Sequence, residues 1–125
     1  CPDQVVAIKD SAGHWEDTRQ LLESGEIPVL VGDERLLHKA AAMGAAGSIC
    51  GMANLHPRRM RMLFDTHVED NALSAEVDAI VAGPVIPALK QAIASKTGDA
   101  SWRNIRPPLH ALQGKALAAI KAKFP

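Results

Sequence analysis

The chain has 125 residues, 47% of them hydrophobic, enough for one ordinary domain with a packed core. Fourteen Lys and Arg balance fourteen Asp and Glu, and a formal net charge of zero argues against a dedicated nucleic-acid or membrane-surface binder, since both need a basic excess. No run reaches transmembrane length, no signal peptide opens the chain, Cys1 and Cys50 are too few for a disulfide framework, and five scattered histidines lack ligand spacing, so a cytoplasmic protein without a metal centre is expected.

The run Val5-Val6-Ala7-Ile8 predicts a strand buried on both faces, as in a parallel sheet, with Lys9 where strand meets loop. Ser11-Ala12-Gly13 breaks it. A helix follows from His14 to about Ser24, with Trp15, Thr18 and Leu22 on one face and Gly25 as its stop. Pro28-Val29-Leu30-Val31 predicts a second strand, ended by Gly32 and Asp33. Asp33 suits the N-cap of a helix over Arg35 to Met43, with Leu36, Leu37 and Ala40 facing inward and Gly44 ending it. Gly47-Ser48-Ile49-Cys50-Gly51 predicts a third strand, whose small residues suit close backbone packing. Asn54 and Pro57 open the next helix.

Three strands, each about 20 residues from the next, leave room for one helix per crossover. That is the logic of parallel α/β folds, either a doubly wound sheet or a barrel. Beyond residue 56 no further strand run occurs. Met60, Leu63, Phe64 and His67 share one helical face, and so do Leu73, Val77, Ile80 and Val81. Pro84 and Pro87 start another helix, to about Ser95. Thr97 to Pro108 reads as a loop, and Ala116, Leu117, Ile120 and Phe124 mark a last helix.

Lys9 sits at the carboxyl end of its strand, where parallel α/β folds build active sites. A partly desolvated amine favours its neutral form, which can attack a ketone and form an imine. The plain alternative is a strand-end lysine in solvent. Asp10 and Ser11 either orient groups around the lysine or simply form a turn. Gly32 could let a ligand carboxylate approach the backbone, and Asp33 and Glu34 could accept hydrogen bonds from substrate hydroxyls. Equally, they could be a tight turn and an acidic helix start. No Gly-x-Gly-x-x-Gly fingerprint follows a strand, and no His is placed to activate Cys50, which reads as a buried inert thiol.

The segment Val6-Ala7-Ile8-Lys9-Asp10-Ser11-Ala12-Gly13 resembles the Schiff-base lysine segment of the dihydrodipicolinate synthase / N-acetylneuraminate lyase superfamily. Val29-Leu30-Val31-Gly32-Asp33-Glu34, Gly44-Ala45-Ala46-Gly47-Ser48-Ile49 and Ala53-Asn54 resemble its later strands and turns, in order. Pro84-Val85-Ile86-Pro87-Ala88-Leu89-Lys90 and Arg106-Pro107-Pro108-Leu109 resemble the openings of its late helices.

The resemblance implies the C-terminal part of a (β/α)8 TIM barrel, strands six to eight with their helices, plus a C-terminal helical extension. Residues 1–56 would hold the last three strands, and 57–125 the last barrel helix and the extension. It implies a class I aldolase or lyase in which Lys9 forms an imine with pyruvate or another 2-oxo acid, with an aldehyde as co-substrate and no cofactor. The backbone around Ile49 would hold the keto acid, and Gly32, Asp33 and Glu34 would line the variable part of the pocket. The parent would be a homotetramer or homodimer. The family's carboxylate-gripping threonine turn and proton-relaying tyrosine belong to earlier strands, and this chain has no Tyr. The chain alone is therefore expected to need its N-terminal half and to be inactive without it. A catalytically silent half-barrel or α/β interaction module stays open as the other class.

Overall fold

The computed structural model describes residues 4–125, so Cys1 lies outside the described residues. Two compact units divide the chain, the first ending at Asn71 and the second running Ala72–Pro125.

The first unit holds three short parallel strands, β1 (Ile8–Asp10), β2 (Val29–Val31) and β3 (Gly47–Ser48), in the order β1-β2-β3. Helices α1 (Trp15–Ser24) and α2 (Leu37–Ala42) form the two crossovers, and α3 (Pro57–Thr66) follows β3. A one-turn 3-10 helix, Glu34–Leu36, leads into α2, and another, Met52–Asn54, lies between β3 and α3. Gly25 ends α1 in the left-handed conformation, and Pro57 occupies the first turn of α3, both as the sequence predicts.

β1 is displaced from its expected place. The sequence predicts Val5–Ile8, but the ladder pairs Ile8 with Val29, Lys9 with Leu30 and Asp10 with Val31. Val6 is 78% exposed. The cause lies on the facing strand. Ile8 donates its N–H to the Pro28 carbonyl at 2.9 Å, but Pro28 has no N–H to return toward Val6. The ladder stops there, and Lys9 stands within the strand rather than after it. β3 is also shorter than the expected 47–51, although the Ile49 N–H still reaches the Val31 carbonyl at 3.1 Å.

Register sorts the side chains by face, because directly paired residues point the same way. Ile8, Val29, Asp10, Val31 and Ser48 share one face; Lys9, Leu30 and Gly47 share the other. Val29, Val31 and Asp10 are buried. Helices α1 and α2 pack on this side of the sheet, with Leu37 and Ala40 of α2 fully buried as expected. Lys39 of α2 places its Nζ 4.2 Å from the centre of the Trp15 ring of α1, a cation–π contact between the two crossovers. In α3, Met60 and Leu63 are buried, but His67 is an exposed left-handed C-cap rather than a fourth inward residue. The helix has already ended when its turn comes.

The second unit is helical: α4 (Asn71–Val81), α5 (Val85–Thr97) and α6 (Gly114–Lys123), with a short 3-10 turn at Ala100–Arg103 inside the expected loop. Leu73, Val77 and Ile80 are the buried stripe of α4, while Val81 is exposed. Helix α5 is buried on most sides, packing against the 3-10 turn and α6, and Ile120 and Phe124 anchor α6.

Candidate functional site at the carboxyl ends of the strands

Lys9, Leu30 and Gly47 form a row across the sheet, one from each strand. With strands about 4.8 Å apart, the row is roughly 10 Å wide. Ile49 lies two residues beyond Gly47 and so returns to the same face; it is 51% exposed. Lys9 is solvent-exposed as well. The structure thus brings Lys9 and Ile49 to one face of the sheet, the face opposite the helices.

The residue after the lysine points the other way and is tied down. Asp10 is buried, and its carboxylate accepts the Ala12 N–H at 2.9 Å and the Thr18 hydroxyl at 2.5 Å. These bonds fasten the end of β1 to its own turn and to α1. The sequence places Thr18 on the inner face of α1 but does not name its partner. The available signal is chemical: a hydroxyl on an apolar helix face needs an acceptor, and Asp10 is the nearest acid at a strand end.

The ends of β1 and β2 meet closely. Gly32 donates its N–H to the Asp10 carbonyl at 2.7 Å. A Cβ at Gly32 would lie 2.8 Å from that same carbonyl oxygen and 2.8 Å from Ser11 Oγ, so only glycine fits. Gly13 turns the β1–α1 loop with φ +68°, and a Cβ there would come within 3.2 Å of Asp33 Oδ2.

Asp33 and Glu34 are both engaged. Asp33, 10% exposed in its side chain, caps the following turn by accepting the Arg35 N–H at 2.9 Å, and takes the Arg35 guanidinium at 3.0 and 2.6 Å. Burial pushes its pKa up, but the Arg35 hydrogen bonds and charge outweigh this and hold it below the ordinary carboxylate value. Glu34 is 8% exposed, and its Oε1 accepts the Met52 N–H at 2.8 Å, joining the turn after β2 to the loop after β3. Sequence reasoning does not reveal this bond, since the two residues lie 18 positions apart and no periodicity links them.

Cys50 is half-buried. Burial pushes its thiol pKa up, and the nearby Glu34 charge adds to this. It is not an activated nucleophile. Among the described residues no group of three His, Cys, Asp or Glu is placed to hold a metal ion, and no helix is long and apolar enough to cross a membrane.

The chain is 32% identical over 129 residues to an uncharacterized DapA-like lyase of Chloroflexus aurantiacus, covering 97% of this chain and 43% of that protein. Dihydrodipicolinate synthase from Agrobacterium tumefaciens superposes with a TM-score of 0.87 at 32% identity, over 93% of this chain and 41% of that one. N-acetylneuraminate lyase from Fusobacterium nucleatum shares the fold, with a TM-score of 0.75 at 14% identity, over 97% and 44%. The chain therefore spans less than half the length of these relatives. The sequence profile of the dihydrodipicolinate synthetase family matches residues 2–122. This chain, with an α/β fold like that of the family's barrel enzymes, belongs to the dihydrodipicolinate synthetase family.

Proposed function

We propose that this chain is the C-terminal part of a (β/α)8 Schiff-base lyase, with β1, β2 and β3 as barrel strands six, seven and eight. Residues 1–56 would then supply the last three strands, and 57–125 the last barrel helix and a helical extension. The observation that carries the reading is the shared face of Lys9, Leu30 and Gly47, with Ile49 at its rim.

In this reading the Lys9 amine attacks the ketone of pyruvate or a related 2-oxo acid. The carbonyl oxygen leaves as water and a C=N bond forms. Protonated, that imine draws the electron pair left by a departing proton or a breaking carbon–carbon bond, giving an enamine. The enamine carbon then attacks an aldehyde in the condensing direction, and the reverse sequence cleaves. Water finally releases the product and restores the amine. The protonated imine formed on the lysine is the electron sink, so the reaction calls for no metal or organic cofactor. The backbone at Ile49 holds the keto acid, and the Gly32-Asp33-Glu34 turn borders the place where the aldehyde partner lies.

Two needs of this chemistry fall to the rest of the parent barrel: a grip on the substrate carboxylate and a proton relay of the tyrosine kind. The chain contains no Tyr. The parent works as a cytoplasmic homo-oligomer, tetramer or dimer, and these residues alone are inactive. The test is borohydride reduction in the presence of pyruvate, on a protein that carries the preceding barrel strands together with this chain. Peptide mass spectrometry is expected to find the reduced pyruvyl adduct on Lys9 and nowhere in a Lys9→Ala variant. An unmodified Lys9 across a panel of 2-oxo acids overturns the reading in favour of a silent α/β module.

A further inference from the structure

We propose that Glu34 is a positioning residue, whose buried carboxylate holds the Met52 N–H and thereby fixes the Ile49–Met52 loop against the Lys9 face, rather than a residue that contacts substrate. The inference rests on the lyase reading above and assigns Glu34 a different part in it.

A buried carboxylate is costly unless hydrogen-bonded, and a bond from a backbone N–H to a charged acceptor is about twice as strong as a neutral one. Glu34 is buried and directs Oε1 to Met52 N–H at 2.8 Å. That bond is the second of two that tie the loop to β2 and its turn, since the Gly51 carbonyl bonds only forward, accepting the Asn54 N–H and side-chain amide, both at 3.1 Å. The first is at its start, where the Ile49 N–H meets the Val31 carbonyl at 3.1 Å. Beyond Met52 the chain is held by its own turn, with the Met52 carbonyl accepting the N–H groups of Leu55 at 3.0 Å and His56 at 2.7 Å. Only Cys50 and Gly51 lie between the anchors. Their short span means that the Ile49 backbone takes its orientation from both ends. With the Glu34 bond removed, Ile49 is fixed on the β2 side alone.

Glu34→Gln keeps an acceptor oxygen of the same reach, whereas Glu34→Ala removes it. In the protein carrying the whole barrel, Glu34→Ala is expected to raise KM for the 2-oxo acid roughly tenfold, the effect of losing one hydrogen bond to a charged group. KM for the aldehyde partner is expected to stay within about twofold, and Glu34→Gln to recover most of the loss. A direct reading of the clamp needs no activity: amide exchange at Met52 is expected to be slow in the wild type and in Glu34→Gln, and fast in Glu34→Ala. The inference is overturned if Met52 exchange is unchanged by Glu34→Ala, if Glu34→Gln loses as much as Glu34→Ala, or if the loss falls on the aldehyde KM. Failure of Lys9 trapping in the wild type would sink the lyase reading instead, and the exchange result would still decide the clamp.

Discussion

Thr18 donates its hydroxyl proton to the carboxylate of Asp10 across 2.5 Å, joining the middle of α1 to the end of β1 directly behind Lys9. Thr18 is 0% exposed. The bond turns a strand end that would otherwise be held by one ladder into a corner braced from two directions.

Removing that hydroxyl at constant shape tests the bond, since its other partner, the His14 carbonyl, lies farther off at 3.3 Å. Thr18→Val is expected to cost about 2 kcal/mol, because it leaves a buried carboxylate oxygen without its donor. Urea denaturation should show a lower midpoint with an unchanged slope. An unchanged midpoint would mean that water reaches Asp10 and the brace carries no stability.

Gly32 allows a sharper test of packing. Gly32→Ala places a methyl 2.8 Å from a backbone oxygen that is itself hydrogen-bonded, so strand ends must separate. A loss on the order of 2 kcal/mol is expected from such overpacking. Lys9 trapping should fall with it, since β1 and β2 move apart at the lysine's own strand end. Gly25→Ala, whose added Cβ meets nothing within 4 Å, is the control: it keeps only the left-handed strain of its φ of +62° and should cost about 1 kcal/mol.

The Asp33–Arg35 pair sets a pH dependence of known sign. The folded pKa of Asp33 lies below the ordinary value of 3.8, so its contribution is fully present above that value and is lost as pH falls through the lower folded value. Wild-type stability should therefore drop on the acid side of pH about 4 more steeply than that of Asp33→Asn. The difference should be modest, about 1 kcal/mol, because Arg35 is more than a third exposed and solvent screens the pair. Parallel acid-unfolding curves for the two proteins would refute it.

Cys50 should react slowly. Burial raises its thiol pKa, and Glu34 beside it opposes the thiolate further. Iodoacetamide is expected to label it several-fold more slowly than a free cysteine at pH 8, with the rate climbing at higher pH. Rapid labelling at neutral pH would show an open, electropositive surrounding instead.

Most of the fold is legible in the sequence where one physical rule acts locally. Gly25 ends α1, Pro57 starts α3, and Leu37 and Ala40 go inward, each for a reason contained in a few neighbouring residues. The start of β1 is not legible, because it is decided by the missing N–H of Pro28, on a different strand. The site shows the same division. The place of Lys9 near a strand end and the glycine turn at Gly32 follow from short runs. The bonds Asp10–Thr18 and Glu34–Met52 do not, since each joins residues that only the folded crossovers bring together. His67 fails in the opposite sense: the helical period extends to it, but the helix has already turned out of register into its cap.

The row Lys9, Leu30, Gly47 descends in bulk from one edge of the sheet to the other, like a ramp. Its tall end carries a long, swinging amine, and its low end carries no side chain at all. In the proposed lyase, a small keto acid resting at the low end would be met from the side, without any strand having to move. The ramp is built into strand register, while the turn carrying Asp33 and Glu34 stands outside it. In the proposed lyase, the approach of the lysine is therefore set by strand register, while Asp33 and Glu34 act from a turn that can change without disturbing that register.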